Sequence, residues 1–490
     1  MRKILSIDAG TTGVTALIVG EDALIHARGY REFPQHFPRP GWVEHDLEEI
    51  WSATIDAIRS ALDSAGIEAR DLAAIGITNQ RETTALWDRE TLKPLGRAIV
   101  WQDRRTAARC DELREEEPGI RGKTGLVLDA YFSATKIDWL LSQADHSWIR
   151  TDEAAGVAFG TIDTWLVAKL TGGTIHATDP TNASRTLLYD IYEHSWSAEL
   201  LEIFGVPSHL LPEVRPSSGD FGTADLFGAR IPIGGIAGDQ QAALFGQACF
   251  HAGEAKNTYG TGSFVLMNTG DTAPPPPDGL LVTLACGPDG GVAYALEGAI
   301  FVTGAAIQWL RDGLGIIGQA SETGPLASSV PDTGGVVFVP ALTGLGSPYW
   351  DPYARGLIVG ITRGTTRAHL ARAAVEAMVF QTRDVVETMT REAGIELRSL
   401  RVDGGASVMD LLCQLQADQL GVAVHRPKIQ ETTALGAAFL AGLASGVWSS
   451  TDEIARTWQL DRTFEPQTRT EDPYADWLRA VERARGWEKD

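Results

Sequence analysis

The first twenty residues hold the pattern that most limits how this chain can fold. An apolar run at residues 4–7 ends in the hydroxyl-rich segment 8–13 (DAGTTG), and a second apolar run follows at residues 14–19. This order predicts two β-strands joined by a tight turn. Gly10 and Gly13 allow positive φ and close backbone approach, so that amide N–H groups can converge on anionic oxygens. The pattern favours a phosphate-holding hairpin, although an ordinary hairpin with a polar turn has the same pattern.

Three side chains of this hairpin indicate what it would bind. Thr11 and Thr12 offer hydroxyl donors beside the backbone amides, and Asp8 ends the first strand, where a carboxylate can hold a magnesium ion. A similar turn, residues 260–263 (GTGS), follows a strand-like run in the second half of the chain. Two such turns predict two related lobes that face one cleft.

The length of the chain, 490 residues, exceeds what one hydrophobic core usually supports. Apolar strands alternate with amphipathic helices in the first half, and the alternation begins again after about Phe250. It predicts an α/β architecture with an N-terminal lobe, residues 1–250, and a C-terminal lobe, residues 251–490. Within the second lobe it predicts strands at 255–259, 264–268, 336–340 and 400–403 and helices at 369–391 and 410–420.

The net charge and the composition of the chain indicate which kinds of molecule it is expected to bind. The chain has 42 Lys and Arg against 64 Asp and Glu, a net charge of −22, which repels phosphate backbones and anionic membrane surfaces. We therefore expect no nucleic-acid partner and no membrane insertion. The same charge repels ATP, so a nucleotide site needs magnesium, backbone amides and a few basic side chains. Four widely separated cysteines and the lack of a signal-peptide pattern predict a cytoplasmic location.

A polar cluster follows the strand predicted at residues 72–78. Arg81 and Glu82 are adjacent there, and α/β folds place ligand sites at the carboxyl ends of strands. A guanidinium donates and a carboxylate accepts, so the pair can hold adjacent hydroxyls of a polyol. A surface ion pair worth about 0–1 kcal/mol is the alternative. Trp101 and Phe264 can supply apolar walls for such a polyol, although aromatic residues in such runs more often belong to the core.

Asp239 lies where one predicted element changes into another. It follows a buried strand predicted at residues 231–237 and precedes an apolar helix predicted at residues 242–249. A carboxylate there can act as a general base, taking the proton from a substrate hydroxyl as that oxygen attacks the γ-phosphate of ATP. Helix N-capping, worth about 1 kcal/mol, is the alternative, and both roles can coexist.

Taken together, these segments resemble the FGGY family of carbohydrate kinases, within the actin-like ATPase superfamily, and in that family the members that phosphorylate glycerol. The resemblance implies two ribonuclease H-like lobes that close over an inter-lobe cleft. It also implies the use of ATP and Mg²⁺, transfer of a phosphoryl group to glycerol to give sn-glycerol 3-phosphate, and a homodimer or homotetramer. It covers nearly the whole chain and is carried by residues 8–12, 76–84, 101–105, 125–136, 238–247, 256–262, 295–312, 343–365 and 403–406.

The resemblance further implies roles for individual residues, with Asp239 as the base and Asp8 as the magnesium-positioning residue. The implied contacts to glycerol are Arg81, Glu82, Trp101, Tyr131, Asp239, Gln240 and Phe264. The implied contacts to ATP are Thr11, Thr12, Gly13, Thr261, Gly304, Gln308 and Gly405.

Three departures from the family pattern limit these assignments. Thr15 replaces an arginine that many members carry in the phosphate hairpin, and Met409 replaces an asparagine that often lies near the adenine. The loop with which some bacterial members bind fructose 1,6-bisphosphate is shorter here, at residues 223–230, so we expect no inhibition by that compound. Two alternatives stay open: an FGGY kinase for another polyol or sugar, and a non-catalytic ATP-binding regulator with the actin fold.

Overall fold

The computed structural model describes residues 2–143, 149, 156–467 and 473–488, which form an α/β protein. Its strands are β1 (Lys3–Ala9), β2 (Gly13–Gly20), β3 (Ile25–Glu32), β4 (Glu44–His45), β5 (Leu72–Asn79), β6 (Ala85–Asp88), β7 (Ala98–Ile99), β8 (Val157–Gly160), β9 (Ala177–Thr178), β10 (Tyr189–Asp190), β11 (Ser195–Trp196), β12 (Glu213–Val214), β13 (Thr223–Leu226), β14 (Ala229–Gly238), β15 (Glu254–Tyr259), β16 (Ser263–Gly270), β17 (Leu281–Cys286), β18 (Val292–Ile300), β19 (Val337–Val339), β20 (Leu357–Val359), β21 (Ser399–Asp403), β22 (Val424–Pro427) and β23 (Leu460–Phe464). Its helices are α1 (Leu47–Ala65), α2 (Ala107–Glu112), α3 (Glu117–Thr124), α4 (Ser133–Ser142), α5 (Ile162–Leu170), α6 (Pro180–Ala183), α7 (Ala198–Phe204), α8 (Asp239–Gly246), α9 (Gly304–Asp312), α10 (Thr323–Ser328), α11 (Arg367–Ala393), α12 (Asp410–Leu420), α13 (Thr432–Ala444), α14 (Thr451–Thr457) and α15 (Tyr474–Ala484).

The first large sheet has six strands in the order β13-β14-β5-β1-β2-β3. Strands β1, β2 and β3 form an antiparallel meander, whereas β1, β5 and β14 are parallel and end at one edge of the sheet. The register makes Asp8 a neighbour of Thr78, and Thr78 a neighbour of Ala237. The carboxyl end of β1 therefore lies one strand away from the end of β14, the strand that leads to Asp239, with the end of β5 between them.

A second large sheet has seven strands in the order β17-β18-β16-β15-β21-β22-β23. It also begins with an antiparallel hairpin, β15 and β16, whose first strand is parallel to β21, which is in turn parallel to β22. The two sheets thus repeat one pattern of pairing. Strands β15, β16 and β21 and helices α11 and α12 confirm the elements predicted for this half, while the predicted strand 336–340 forms β19 in a separate two-stranded sheet.

Helix α1 shows how local sequence sets these elements. Asp46 caps its first turn by accepting hydrogen bonds from the backbone N–H groups of Glu48 and Glu49, and Gly66 ends it in the left-handed conformation. Its buried face includes Leu47, Ile50, Ala53, Ala57, Ile58, Ala61 and Leu62. This face packs against the meander of the first sheet.

Helix α13 belongs to the second half of the chain but packs against the first sheet and α8. The approach is close enough to need glycine, because a Cβ on Gly76 would lie 2.1 Å from the Ala437 carbonyl oxygen. A Cβ on Gly436 would lie 1.9 Å from the Ala242 carbonyl oxygen. The small residues of α13 therefore join the two halves, and the lobe division near residue 250 stays a prediction.

Two further observations bear on the expected environment, and a third concerns the loop expected to be short at residues 223–230. The part of the chain that the structure describes contains no helix long and apolar enough to cross a membrane. All four cysteines are free and buried: Cys110, Cys249, Cys286 and Cys413. The segment at residues 223–230 forms the tight hairpin of β13 and β14.

Replacing Gly436 with alanine should destabilise the protein, because the added methyl group has to displace helix backbone. We expect Gly436→Ala to lower the free energy of unfolding by about 1–3 kcal/mol in urea denaturation. Gly122→Ala in α3 is the matched control, since a Cβ there meets no atom of the described residues within 4 Å. Equal stability of the two variants would contradict the close packing of α13 against α8.

Candidate active site

The turn between β1 and β2 is closed by a hydrogen bond from the Gly10 N–H to the Gly13 carbonyl oxygen at 3.0 Å. Neither glycine has positive φ, so that expectation from the sequence is wrong. Gly13 serves close approach instead, because a Cβ there would lie 2.8 Å from the Tyr30 hydroxyl. Thr12 is exposed in this turn, while the Thr11 hydroxyl accepts a hydrogen bond from Trp101 Nε1 at 3.0 Å.

The second Thr/Gly turn packs against the start of α9. The Thr261 carbonyl oxygen accepts hydrogen bonds from the N–H groups of Thr303 and Ala305, both at 3.0 Å, and the Gly304 N–H donates to Gly260 at 3.1 Å. Thr261 and Gly304 are therefore neighbours, and both reach the surface.

The remaining residues predicted to contact the nucleotide lie on nearby elements of the second lobe. Gln308 is exposed on α9, and Gly405 is exposed just after β21. Met409 is partly buried at the start of α12, and its side chain lies against Gly324 of α10.

A buried cluster of charges joins the two sheets. Arg81 donates to both carboxylate oxygens of Glu297, at 2.6 and 3.1 Å, although the two residues belong to different lobes. Its Nε lies 3.1 Å from Asp239 Oδ1, and its Nη1 donates to Gln241 at 3.2 Å. Arg185 Nη2 donates to Glu297 Oε1 at 3.0 Å. Arg81 therefore orients the predicted base and ties it to the opposite lobe.

Glu82 is buried, so the alternative of a surface ion pair is wrong. Its backbone has a φ of 61°, an unfavourable value for a non-glycine residue that the surrounding structure has to hold in place. Arg185 Nε donates to its Oε1 at 2.7 Å. Within the described residues its Oε2 accepts no hydrogen bond, which leaves this oxygen available to a ligand.

Asp239 is the first residue of α8, which begins three residues before the predicted start. The N-cap is Gly238, so the predicted capping role of Asp239 is wrong; its carboxylate instead accepts from the Gln240 N–H at 2.7 Å. Its side chain is 32% exposed, unlike those of Arg81 and Glu297. The carboxylate therefore faces the cleft while one oxygen is held in place.

Gln240 is positioned by a buried lysine from the second sheet. Lys256 Nζ donates to Gln240 Oε1, to Thr258 Oγ1 at 2.9 Å and to the Phe264 carbonyl oxygen at 3.2 Å. These bonds connect the first turn of α8 with the hairpin of β15 and β16. Phe264 is partly buried in this hairpin.

Aromatic side chains form one wall beside the charges. Trp101 and Tyr131 are both partly buried and meet edge to face, with ring centroids 5.6 Å apart. The guanidinium of Arg185 lies 5.8 Å from the Tyr131 ring centroid. Because Trp101 also donates to Thr11, this wall connects the charge cluster with the phosphate turn.

The pKa values reflect how tightly these groups are held. Burial on its own would raise the pKa of Glu297. The positive charges of Arg185 and Arg81 outweigh this effect and lower the pKa to about 2. Burial raises the pKa of Glu82, and the same two arginines oppose the rise. Burial lowers the pKa of Lys256 to about 8. Glu297 therefore stays ionised at neutral pH and balances the two guanidinium groups.

Asp8 and its surroundings fit a magnesium ion. Burial, followed by the negative charge of Asp239, raises the pKa of Asp8 to about 7, so a cation bound at this carboxyl would favour its ionised form. The neighbouring Thr78 hydroxyl is buried and has no hydrogen-bond partner in the described part of the protein. Carboxylate and hydroxyl oxygens are the donors that Mg²⁺ prefers, and one or two carboxylates suffice when phosphates complete the shell.

Three residues of this site were not singled out from the sequence. Arg185 donates to Glu82, which lies 103 positions earlier in the chain, and Glu297 accepts from Arg81, 216 positions earlier. Lys256 donates to Gln240, which lies 16 positions earlier. Among the described residues, Arg185 Nη1 is buried without a hydrogen-bond partner, so this atom can serve as a further donor to a ligand. No local pattern marks these residues; the only signal was that Lys256 and Glu297 fall within segments that carry the family resemblance.

Comparison with known proteins agrees with this geometry. Residues 3–246 match the N-terminal domain, and residues 255–445 the C-terminal domain, of the FGGY family of carbohydrate kinases. The chain is 56% identical to glycerol kinase 2 of Thermotoga maritima, covering 100% of both chains. It is 57% identical to glycerol kinase of Deinococcus radiodurans, covering 100% of this chain and 99% of that one.

A solved structure is similar over the same length. The crystal structure of Plasmodium falciparum glycerol kinase with ADP superposes with a TM-score of 0.93 at 36% identity, covering 99% of this chain and 98% of that one. The chain therefore belongs to the FGGY family of carbohydrate kinases and has its two actin-like ATPase lobes.

The raised pKa of Asp8 makes stability depend on pH. Between its ordinary pKa of 3.8 and about 7, the native state keeps a proton that the unfolded state has released. The free energy of unfolding in metal-free buffer should therefore fall as the pH rises through this range. Asp8→Asn should remove this contribution, so that its stability relative to the parent rises between pH 4 and pH 7, as measured by urea denaturation. The exposed-site variant Asp225→Asn is the control, and a parallel response of both variants would refute the assignment.

Proposed function

We propose that this protein is an ATP-dependent glycerol kinase, which converts ATP and glycerol into ADP and sn-glycerol 3-phosphate. The observation that carries the proposal is the position of Asp239: its carboxylate faces the cleft while Arg81 holds one of its oxygens. The full-length similarity to glycerol kinases supports the choice of acceptor. A larger sugar acceptor and a non-catalytic regulator are not favoured.

In the proposed reaction, Asp239 takes the proton from a primary hydroxyl of glycerol. That oxygen attacks the γ-phosphorus, the bond from the γ-phosphorus to the bridging oxygen breaks, and ADP leaves with the electron pair of that bond. Because Arg81 fixes the carboxylate beforehand, little reorganisation is needed when the proton moves. The start of α8 favours a carboxylate at this position, since the helix dipole is positive there.

Glycerol would lie between the charge cluster and the aromatic wall. Glu82 Oε2 would accept from one hydroxyl, and Arg81, Tyr131 and Gln240 would supply the other polar contacts. Trp101 and Phe264 would cover the carbon chain. The fixed partners of Glu82 and Arg81 support this arrangement, because side chains already held in place lose little entropy when they bind.

ATP would be held by the two Thr/Gly turns. Thr11, Thr12 and Gly13 of the first turn and Thr261 of the second would contact the phosphates, and Gly304, Gln308 and Gly405 would line the rest of the nucleotide. Asp8 would hold Mg²⁺, which supplies charge neutralisation for the phosphates. A cytoplasmic location, supported by four buried free cysteines, and a homodimer or homotetramer also belong to this proposal.

The overall proposal is tested by measuring ADP release with Mg²⁺ and ATP in the presence of different acceptors. We expect glycerol to stimulate release far more than dihydroxyacetone, erythritol, xylulose, ribulose or gluconate. Preference for one of the larger acceptors would replace glycerol by that substrate. No stimulation by any acceptor would favour the regulator.

Replacing the base should affect chemistry more than binding. We expect Asp239→Asn to lower kcat by about 10²–10⁴-fold, because the acceptor of the hydroxyl proton is lost. Calorimetry should show that ATP still binds, since the two phosphate turns are unchanged. A kcat close to that of the parent would exclude Asp239 as the base.

Replacing Glu82 should affect glycerol selectively. Glu82→Gln keeps the shape of the side chain but exchanges a charged acceptor for a neutral amide, so we expect the KM for glycerol to rise about 10-fold or more. The KM for ATP should stay within about twofold of the parent value. Glu112→Gln, at an exposed residue of α2, is the control. An unchanged glycerol KM would remove Glu82 from the substrate site.

A further inference from the structure

Strand β3 is an edge strand, and one of its faces is open to solvent beside the phosphate hairpin. Ala27 and Gly29 face α1, and a Cβ on Gly29 would collide with the Ala57 carbonyl oxygen at 2.0 Å. Arg28 and Tyr30 alternate with them and therefore point to the opposite face, the face that carries Asp8. Both side chains are exposed there.

The register brings these residues close to Asp8. Asp8 pairs with Thr15 on β2, and Thr15 pairs with Tyr30 on β3, so the three form one row across the sheet. Arg28 lies in the next row on the same face, opposite Leu17. It is a diagonal neighbour of Thr15, within reach of a long side chain. Because threonine is short, the space over the end of β1 is left open to Arg28.

Tyr30 holds the arginine on this side of the strand. The Arg28 guanidinium lies 5.5 Å from the centroid of the Tyr30 ring, and the Tyr30 hydroxyl in turn lies over Gly13. Among the described residues, no carboxylate forms an ion pair with Arg28; Glu32, farther along the same face, is bonded to the Tyr30 hydroxyl at 3.5 Å. Arg28 therefore carries a positive charge with no carboxylate partner among those residues, on the face of the sheet that carries Asp8.

We propose that Arg28 is a phosphate-binding residue that reaches the terminal phosphates of ATP from the strand next to the hairpin. The first turn itself offers hydroxyls and backbone amides but no positive side chain. Arg81 and Lys256 are buried and bonded to other groups, so they are poor candidates for this contact. A guanidinium suits the task because its planar array of donors matches phosphate oxygens.

The position of Asp8 indicates which phosphates are involved. Asp8 pairs with Thr78, and Thr78 pairs with Ala237, two residues before Asp239, which is the proposed base for attack on the γ-phosphate. Arg28 should therefore contact the γ- and β-phosphates rather than the α-phosphate. In a chain with a net charge of −22, one unpaired arginine at this place makes the local potential more favourable for ATP.

The test compares Arg28→Ala with Arg31→Ala by calorimetric titration of Mg-ATP, Mg-ADP and AMP. Arg31 is the matched control, because it lies on the same strand, points to the opposite face and is 3.9 Å from Asp56. We expect Arg28→Ala to weaken Mg-ATP binding about 10-fold, to weaken Mg-ADP binding less, and to leave AMP binding unchanged. Equal affinities of the two variants for Mg-ATP would overturn the proposal.

A second variant distinguishes a direct contact from a general loss of charge. Thr15→Arg introduced together with Arg28→Ala should restore much of the ATP affinity, because it returns a guanidinium to the same space from the neighbouring strand. Weak binding by this double variant, with a normal unfolding curve, would count against that space as the phosphate site. The proposal uses the proposed function only in naming ATP, and binding is measured without acceptor, so a wrong choice of glycerol would leave the result interpretable.

Discussion

The bidentate ion pair between Arg81 and Glu297 is the interaction on which the active site depends. It joins the end of a strand in the first sheet to a strand of the second, so it holds the two lobes at the point where substrate would lie. A buried ion pair contributes little net stability, because desolvation offsets much of the attraction, but removing one partner leaves a costly unpaired charge. The ion pair serves to position the proposed base, because the guanidinium of Arg81 that Glu297 fixes also holds the Asp239 carboxylate.

The other charged groups extend this arrangement. Arg185 connects Glu82 with Glu297, and Lys256 connects Gln240 with the second hairpin. As a result, the proposed base and the proposed glycerol contacts are fixed before substrate enters. Fixed dipoles and charges stabilise a transition state more effectively than groups that must reorient during the reaction. The few polar atoms of the site without a partner among the described residues, such as Glu82 Oε2 and Arg185 Nη1, are then the atoms available to a ligand.

Close packing of backbone against backbone supports the elements next to the buried charges of Arg81, Glu297 and Asp239. Helix α13 lies against β5, which ends two residues before Arg81, and against α8, which begins with Asp239. Glycines at the contacts permit this approach. A side chain at Gly436 would push α8 away and would be expected to move Asp239 with it. Close packing at a glycine also shapes the phosphate hairpin. Gly13 leaves room for the Tyr30 side chain, whose ring contacts the guanidinium of Arg28.

Much of this organisation follows from the sequence itself. The hairpin, the strand before Arg81 and helices α11 and α12 come from local hydrophobic patterns, and the family comes from motifs that together cover the chain. The start of α8 was placed too late, because the polar residues of its first turn interrupt the apolar pattern. Only the tertiary structure shows that Arg81 and Glu82 are buried, that Arg185 and Glu297 complete their bonding, and that Arg28 lies on the face of Asp8. Sequence patterns report what neighbouring residues do to one another, whereas these charges are balanced by partners more than a hundred residues away.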